Sequence, residues 1–267
     1  MGFLTDVVKE TRAAIARSTY LSGLPAHAAR ALRPSLRAAI ERAGATGALM
    51  VEYKRVSPGS DTPELPSRSI EEFVKVTAGA GIAGYSCVAT APRFHGSPKD
   101  VADLVERTTL PVLFKDFVVD PIQLDAAHRT GASAVLLIAR LESAGLLSAP
   151  LSELATEAHA RHLEVLLEFH DRSDLKRAAG VGADMYGVNV RDLDTLRMEP
   201  EVAETTIRSA GAYRPLLGLS GVASANDARR FWNAGADGIL VGSAVARASD
   251  PLTFLKTLHR PPSGGPP

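Results

Sequence analysis

Four glycine-marked apolar runs recur along this chain: AGIAGYSCVAT from Ala80, TGASAVLLIA from Thr130, VGADMYGVNV from Val181 and AGADGILVGS from Ala234. Their markers are Gly81, Gly131, Gly182 and Gly235. The period of about fifty residues is too long for one strand–helix unit and suits two. Each glycine is expected to end a helix, and each apolar run to be the next strand. Between the markers lie PVLFKDF from Pro111, LEVLLEF from Leu163 and PLLGLSG from Pro215, and GALMVEYK from Gly47 precedes them all. Amphipathic stretches separate these runs. One of them, SIEEFVKVTAGAG, opens on Ser69 with Glu72 three residues later, which predicts a capping box. Continuously apolar strands belong to a parallel sheet covered on both faces. Eight of them alternating with helices in near-equal quarters predict an α/β protein, a (β/α)8 TIM barrel, over a doubly wound open sheet. Residues 1–46 read as extra N-terminal helices packed on the barrel, 47–259 as the barrel itself, and 260–267 (RPPSGGPP) as a disordered tail.

Composition excludes several classes of function. Lysine plus arginine (30) balance aspartate plus glutamate (30), so no surplus charge favours nucleic acid or an acidic membrane. The single cysteine, Cys87, forms no disulfide within the chain and reads as a small core residue in a reducing compartment. No apolar run reaches the length of a membrane span. The N-terminus lacks the apolar core of a signal peptide, and Asp6 stands where myristoylation wants Ser or Thr. A cytoplasmic location is expected. The seven histidines show no metal-ligand spacing, so no metal is expected. GAGIAG at 79–84 matches a dinucleotide-binding fingerprint but follows a helix and precedes a strand, the reverse of what that motif requires.

In barrels of this kind chemistry gathers where strands end. In VEYKRVSPGS, Val51 and Tyr53 alternate with Glu52 and Lys54, so the two charged residues share one face; alternation does not say which, but the polar groups at the other strand ends place it at the barrel mouth, with Ser57 following. Lys115 interrupts VLFKDF and Glu168 interrupts VLLEFHD, each at the C-terminal end of an apolar strand, where a charge needs a partner or a ligand. Asn189 and Arg191 alternate onto one face, unless Arg191 is a loop residue paired with Asp192 or Asp194. His170 is read equally as a mouth or a loop residue. Glycines in LSGVAS and LVGSAVA predict a phosphate corner at Ser220, Gly221, Gly242 and Ser243.

The ordered set EYKRVSP, KDF, Glu168, NVRDLDT, SG and GS resembles the indole-3-glycerol phosphate synthase family over roughly residues 45–258. The resemblance implies ring closure of 1-(2-carboxyphenylamino)-1-deoxyribulose 5-phosphate with loss of carbon dioxide and water, without a cofactor. It implies Lys115 as general acid for closure and Glu168 as base for the later proton removal. Lys54 reaches toward the phosphate and the leaving hydroxyl, and Glu52 orients it. Ser57, Asn189 and Arg191 grip carboxylate and hydroxyls, Phe94 and Phe117 pack the aromatic ring, and Ser220, Gly221, Gly242 and Ser243 hold phosphate with Lys54. Two positions depart from the family's pattern. Leu219, among the expected substrate contacts, stands where glutamate is usual, and Ala91 follows Thr90 where an acidic residue is frequent. Three alternatives remain at this level. One is a paralogue acting on a related arylamino sugar phosphate. The second is the neighbouring pathway isomerase, which wants a cysteine–aspartate pair that mid-strand Cys87 does not suit. The third is an inactive barrel that binds a partner. A phosphorylated small molecule is the expected ligand, and the assembly a monomer or weak homodimer.

Overall fold

A computed structural model of the chain describes residues 2–17, 20–26 and 33–261. Eight parallel strands close into a barrel in sequence order: β1 (Ala48–Tyr53), β2 (Gly84–Val88), β3 (Val112–Lys115), β4 (Ala134–Ile138), β5 (Glu164–Phe169), β6 (Met185–Asn189), β7 (Leu216–Leu219) and β8 (Gly238–Val241), with β8 pairing back onto β1. Every expected strand is present. The alternation along each strand sorts two apolar clusters. Leu49, Val51, Val112, Phe114, Val165 and Leu167 face the surrounding helices. Met50, Leu113, Leu136, Leu166, Met185 and Leu217 fill the barrel interior. This period of two carries the site: Glu52 follows Met50 inward, Lys115 follows Leu113, Glu168 follows Leu166 and Asn189 continues the face of Met185.

The two leading helices, α1 (Phe3–Ala16) and α2 (Leu36–Ala43), go to opposite ends of the barrel. Helix α2 closes the end where strands begin. Glu164, the first residue of β5, accepts from the backbone N–H groups of Leu36 at 2.7 Å and Arg37 at 3.0 Å and from the Ser35 hydroxyl. A carboxylate from the barrel thus satisfies the free donors of a helix N-terminus. Glu164→Ala is expected to cost about 1–3 kcal/mol of stability by urea denaturation, while leaving turnover unchanged because the chemistry lies at the other end. Helix α1 leans over the mouth. Phe3 N–H donates to the Asp194 carbonyl at 3.3 Å, Arg12 donates to the Leu146 carbonyl at 2.9 Å, and the Phe3 and Phe94 rings meet edge-on with centroids 6.2 Å apart.

The outer helices are α3 (Ile70–Thr77), α4 (Pro98–Glu106), α5 (Pro121–Thr130), α6 (Ala139–Ser143), α7 (Leu151–Ala160), α8 (Arg172–Leu175), α9 (Pro200–Ser209), α10 (Ala225–Ala234), α11 (Ser243–Arg247) and α12 (Pro251–Lys256). None among the described residues is long and apolar enough to cross a membrane. Helices α6 and α11 were not legible because each is a single short turn directly after its strand.

Several local expectations need correction. Gly131 and Gly235 are left-handed C-caps of α5 and α10. Gly81 and Gly182 have positive φ too, but lie in turns beyond helices already ended at Ala78 and Ala179. Ser69 accepts from the Glu72 N–H, but the Glu72 carboxylate turns toward Arg68, at 3.9 Å, rather than back to the cap. The reciprocal capping box is instead Asp120 with Gln123. GAGIAG does lie between α3 and β2. Arg260, assigned to the tail, belongs to the body: its N–H donates to the Thr46 carbonyl at 3.0 Å and its guanidinium lies 5.1 Å from the Trp232 ring centroid. The remaining tail, 262–267, lies outside the described residues.

Candidate active site

Glu52 is the hub of the mouth. It is 2% exposed, its Oε1 lies 2.9 Å from Lys54 Nζ, and its Oε2 lies 2.7 Å from Lys115 Nζ. Burial pushes the Glu52 carboxyl up, but attraction from Lys115, then Lys54, with hydrogen bonds from both, outweighs it and holds the carboxyl at about 2. The two lysines share this carboxylate yet move in opposite directions. Burial lowers both. For Lys115 that loss is more than offset by Glu52 and Glu168, and its pKa is raised. For Lys54 the attraction of Glu52 is set against Lys115 and Arg191, and its pKa is lowered. Lys54 is therefore the readier proton donor at rest, and Lys115 a firmly charged one.

Across the barrel, Glu168 is 2% exposed. Its Oε1 accepts from Asn189 Nδ2 at 3.0 Å, while its buried Oε2 has no hydrogen-bond partner among the described residues. Burial raises its pKa against the pull of Lys115 and the Asn189 bond. Arg191 pairs with neither Asp192 nor Asp194. Its Nη1 donates to the Leu196 carbonyl at 2.8 Å, and among the described residues no carboxylate forms an ion pair with it. Burial lowers its pKa. Asp192 instead accepts from the N–H groups of Asp194 and Thr195. The guanidinium is left for an anion.

Two neighbouring cavities share Glu52, Lys54, Ser57, Arg191 and Ser220 in their walls. The larger brings Lys115, Glu168, Asn189 and Arg191 together with the rings of Phe94 and Phe117, whose centroids are 5.8 Å apart. The smaller is walled by Ser220, Gly221, Gly242 and Ser243, with Lys54 and Arg191 at its edge. Ser57 lines both, and Ser243 Oγ donates to Ser57 Oγ at 3.0 Å. Gly221 has φ +74° in this turn. A Cβ on Gly242 would lie 2.9 Å from Glu52 Oε1 and 3.1 Å from Lys54 Cε, so only glycine leaves the cluster in place.

The structure places one expected contact, Leu219, away from the cavities, and fixes the roles of His170 and Asp116. Leu219 does not line either cavity. It is fully buried in the barrel interior, where it packs over Gly187; a Cβ there would lie 2.6 Å from Leu219 Cδ1. Its inward alternation puts it in register with Asn189, but its side chain fills the interior instead of the cavity. Of its two readings, His170 takes the loop one: it follows β5, lines neither cavity and is buried against the end of β6, with Nδ1 2.7 Å from the Asn189 carbonyl oxygen. Asp116, beside Lys115, is 2% exposed and serves the loop rather than the cavity's charge. It accepts from Thr90 Oγ1 at 2.6 Å, Phe117 N at 2.9 Å, Gln123 Nε2 at 2.9 Å and the Tyr20 hydroxyl. Sequence reasoning also missed Phe3, Leu193 and Leu196 as cavity walls. Phe3 and Leu193 pack against the interior apolar cluster at this end; no motif marks Phe3, and Leu193 sits inside NVRDLDT as an apolar residue that pattern alone did not assign to the cavity.

The family model for indole-3-glycerol phosphate synthase matches residues 4–258. The chain belongs to the indole-3-glycerol phosphate synthase family. Indole-3-glycerol phosphate synthases of Staphylococcus aureus strains JH1 and Mu3 are each 35% identical to it over 211 residues, 79% of either chain. Among solved structures, the thiamine phosphate pyrophosphorylase of Pyrococcus furiosus aligns at a TM-score of 0.56 and 17% identity over 80% of this chain and 93% of its own. The native KDPGal structure aligns at 0.53 and 16% over 79% and 91%. At that identity the likeness concerns the barrel alone. Family membership bears on the cavity: the lysines, carboxylates and glycines described above stand in the order by which the sequence resembled the synthases.

Proposed function

We propose that the chain is an indole-3-glycerol phosphate synthase, converting 1-(2-carboxyphenylamino)-1-deoxyribulose 5-phosphate to indole-3-glycerol phosphate, carbon dioxide and water. The observation that carries this reading is the split of charge at one mouth. Two lysines meet on Glu52 at one side, and a carboxyl with a free oxygen faces them from the other. The substrate's phosphate enters the glycine corner, its carboxylate meets Arg191 and its ring lies against Phe94 and Phe117. Lys115 gives a proton to the ketone oxygen as the ring carbon attacks the ketone carbon. The carboxylate leaves that ring carbon as carbon dioxide. Lys54 then protonates the departing hydroxyl, and Glu168 removes the ring proton that restores the aromatic system. A carboxyl with a raised pKa is the stronger base once ionised, which suits Glu168 to that step. Lys54, lowered from its ordinary value, is suited to give up a proton.

Incubating the purified chain with the substrate and following indole fluorescence tests the reading, and absence of fluorescent product ends it. The phosphate corner has its own test. Inorganic phosphate is expected to compete with substrate in the parent chain and not to bind Gly242→Val, because the added side chain displaces Glu52 and Lys54. Equal phosphate binding by both proteins would remove that corner from the proposal.

A further inference from the structure

The β5–β6 ladder ends at the pair Phe169–Val188. The next residue, His170, turns its backbone N–H aside to Asp174 Oδ2 at 3.2 Å. Its ring takes over across the gap, with Nδ1 2.7 Å from the Asn189 carbonyl oxygen. A carbonyl oxygen only accepts, so Nδ1 carries the proton and donates. Behind it, Nε2 lies 3.0 Å from Oε2 of Glu199, the N-cap residue of α9. His170 is 6% exposed, so water competes little for either bond.

What the ring holds is a junction. Asn189 Nδ2 donates to Glu168 Oε1 at 3.0 Å, and Asn189 Oδ1 accepts from the Arg191 N–H at 3.0 Å. One asparagine therefore sets both the carboxyl assigned to proton removal and the loop that carries the free guanidinium. We propose that His170 is a positioning residue for the reaction: its Nδ1–H pins the end of β6 so that Asn189 aligns Glu168 and Arg191, and Glu199 braces the ring from the far side. The inference rests on the reaction proposed above. His170 does not reach the substrate, so its effect passes through Asn189.

Two substitutions separate the ring's nitrogens. His170→Asn puts an amide N–H near the place of Nδ1. His170→Gln puts one near the place of Nε2. His170→Gln is expected to lower kcat by about 10²-fold, as misplacement of a reacting group by about 1 Å does, and to raise KM by a smaller factor through Arg191. His170→Asn is expected to recover most of that loss. Melting temperatures of both variants show whether either has lost its fold. In the parent, an NMR signal from a protonated Nδ1, slow to exchange, is expected and should disappear in both variants. Equal kcat for the two folded variants, a change confined to KM, or an unprotonated Nδ1 overturns the proposal. A parent chain inert toward the substrate sinks the reaction instead, and the Nδ1–H signal still reports whether His170 holds Asn189.

Discussion

Lys115→Met is expected to lower kcat by about 10²–10⁴-fold while KM changes far less, because proton donation to the ketone oxygen acts in the transition state. The folded state should tolerate the change. Methionine keeps an unbranched apolar stem of similar length, and Glu52 keeps Lys54 at 2.9 Å. Removal of Lys115 also removes the largest attraction lowering the Glu52 carboxyl and the main one opposing burial at Glu168. Both pKa values should therefore rise in the variant. Turnover in single-turnover experiments separates closure from later steps. Undiminished closure in Lys115→Met would take the lysine out of the mechanism.

Glu52→Gln is expected to be the more damaging substitution, because one carboxylate serves two buried lysines. Breaking a buried ion pair by removing one partner costs about 3–5 kcal/mol. Here the loss leaves Lys54 and Lys115 facing each other and Arg191. Burial would then dominate both lysines, and Lys115 should fall below its ordinary value instead of standing above it. The acid limb of stability carries the sign. The Glu52 carboxyl is held at about 2 in the fold, against 4.5 ordinarily. Its contribution is present in full above about 4.5 and is lost as pH falls from there through about 2. Urea denaturation across that range should show the parent losing this stability and Glu52→Gln, already without it, losing less. Equal acid sensitivity in the two proteins would mean that Glu52 is not held by the lysines. Anions should partly rescue the variant, since inorganic phosphate would supply charge to the orphaned lysines.

These two residues show how much of the site could be read in advance. Alternation put Glu52 with Lys54, and Asn189 with Arg191, on shared faces, while Lys115 and Glu168 stood out as charges interrupting apolar runs at strand ends. Those arguments are local and needed no partner. The structure gathers all six residues around one cavity. Leu219 shows the limit of the same rule. It too points inward, in register with the cavity residue Asn189, but its side chain packs on Gly187 and lines neither cavity. Which inward residue lines the cavity and which fills the core is decided by what each side chain packs against, and alternation does not carry that. The capping boxes fail for a related reason. Ser69 with Glu72 has the spacing, but the Glu72 carboxylate turns to Arg68, whereas Gln123 is buried and its Oε1 accepts from both Val119 N at 2.8 Å and Asp120 N at 3.2 Å, so the box closes.

By itself the sequence determined the barrel, its eight strands, the face on which each charged residue lies and the end at which they collect. All of these follow from short-range periodicity and glycine placement, which one stretch of chain expresses without reference to another. The tertiary structure alone decided the pairings. Lys115 shares Glu52, 63 residues away, rather than Glu168; Arg191 is left without a carboxylate among the described residues; α1 and α2 part to opposite ends; and His170 serves β6 from behind. Those outcomes depend on which side chains of distant strands come within about 3 Å of each other. A hydrogen bond or ion pair is decided at that distance, and spacing along the chain carries no information about it once the strands are closed into a ring.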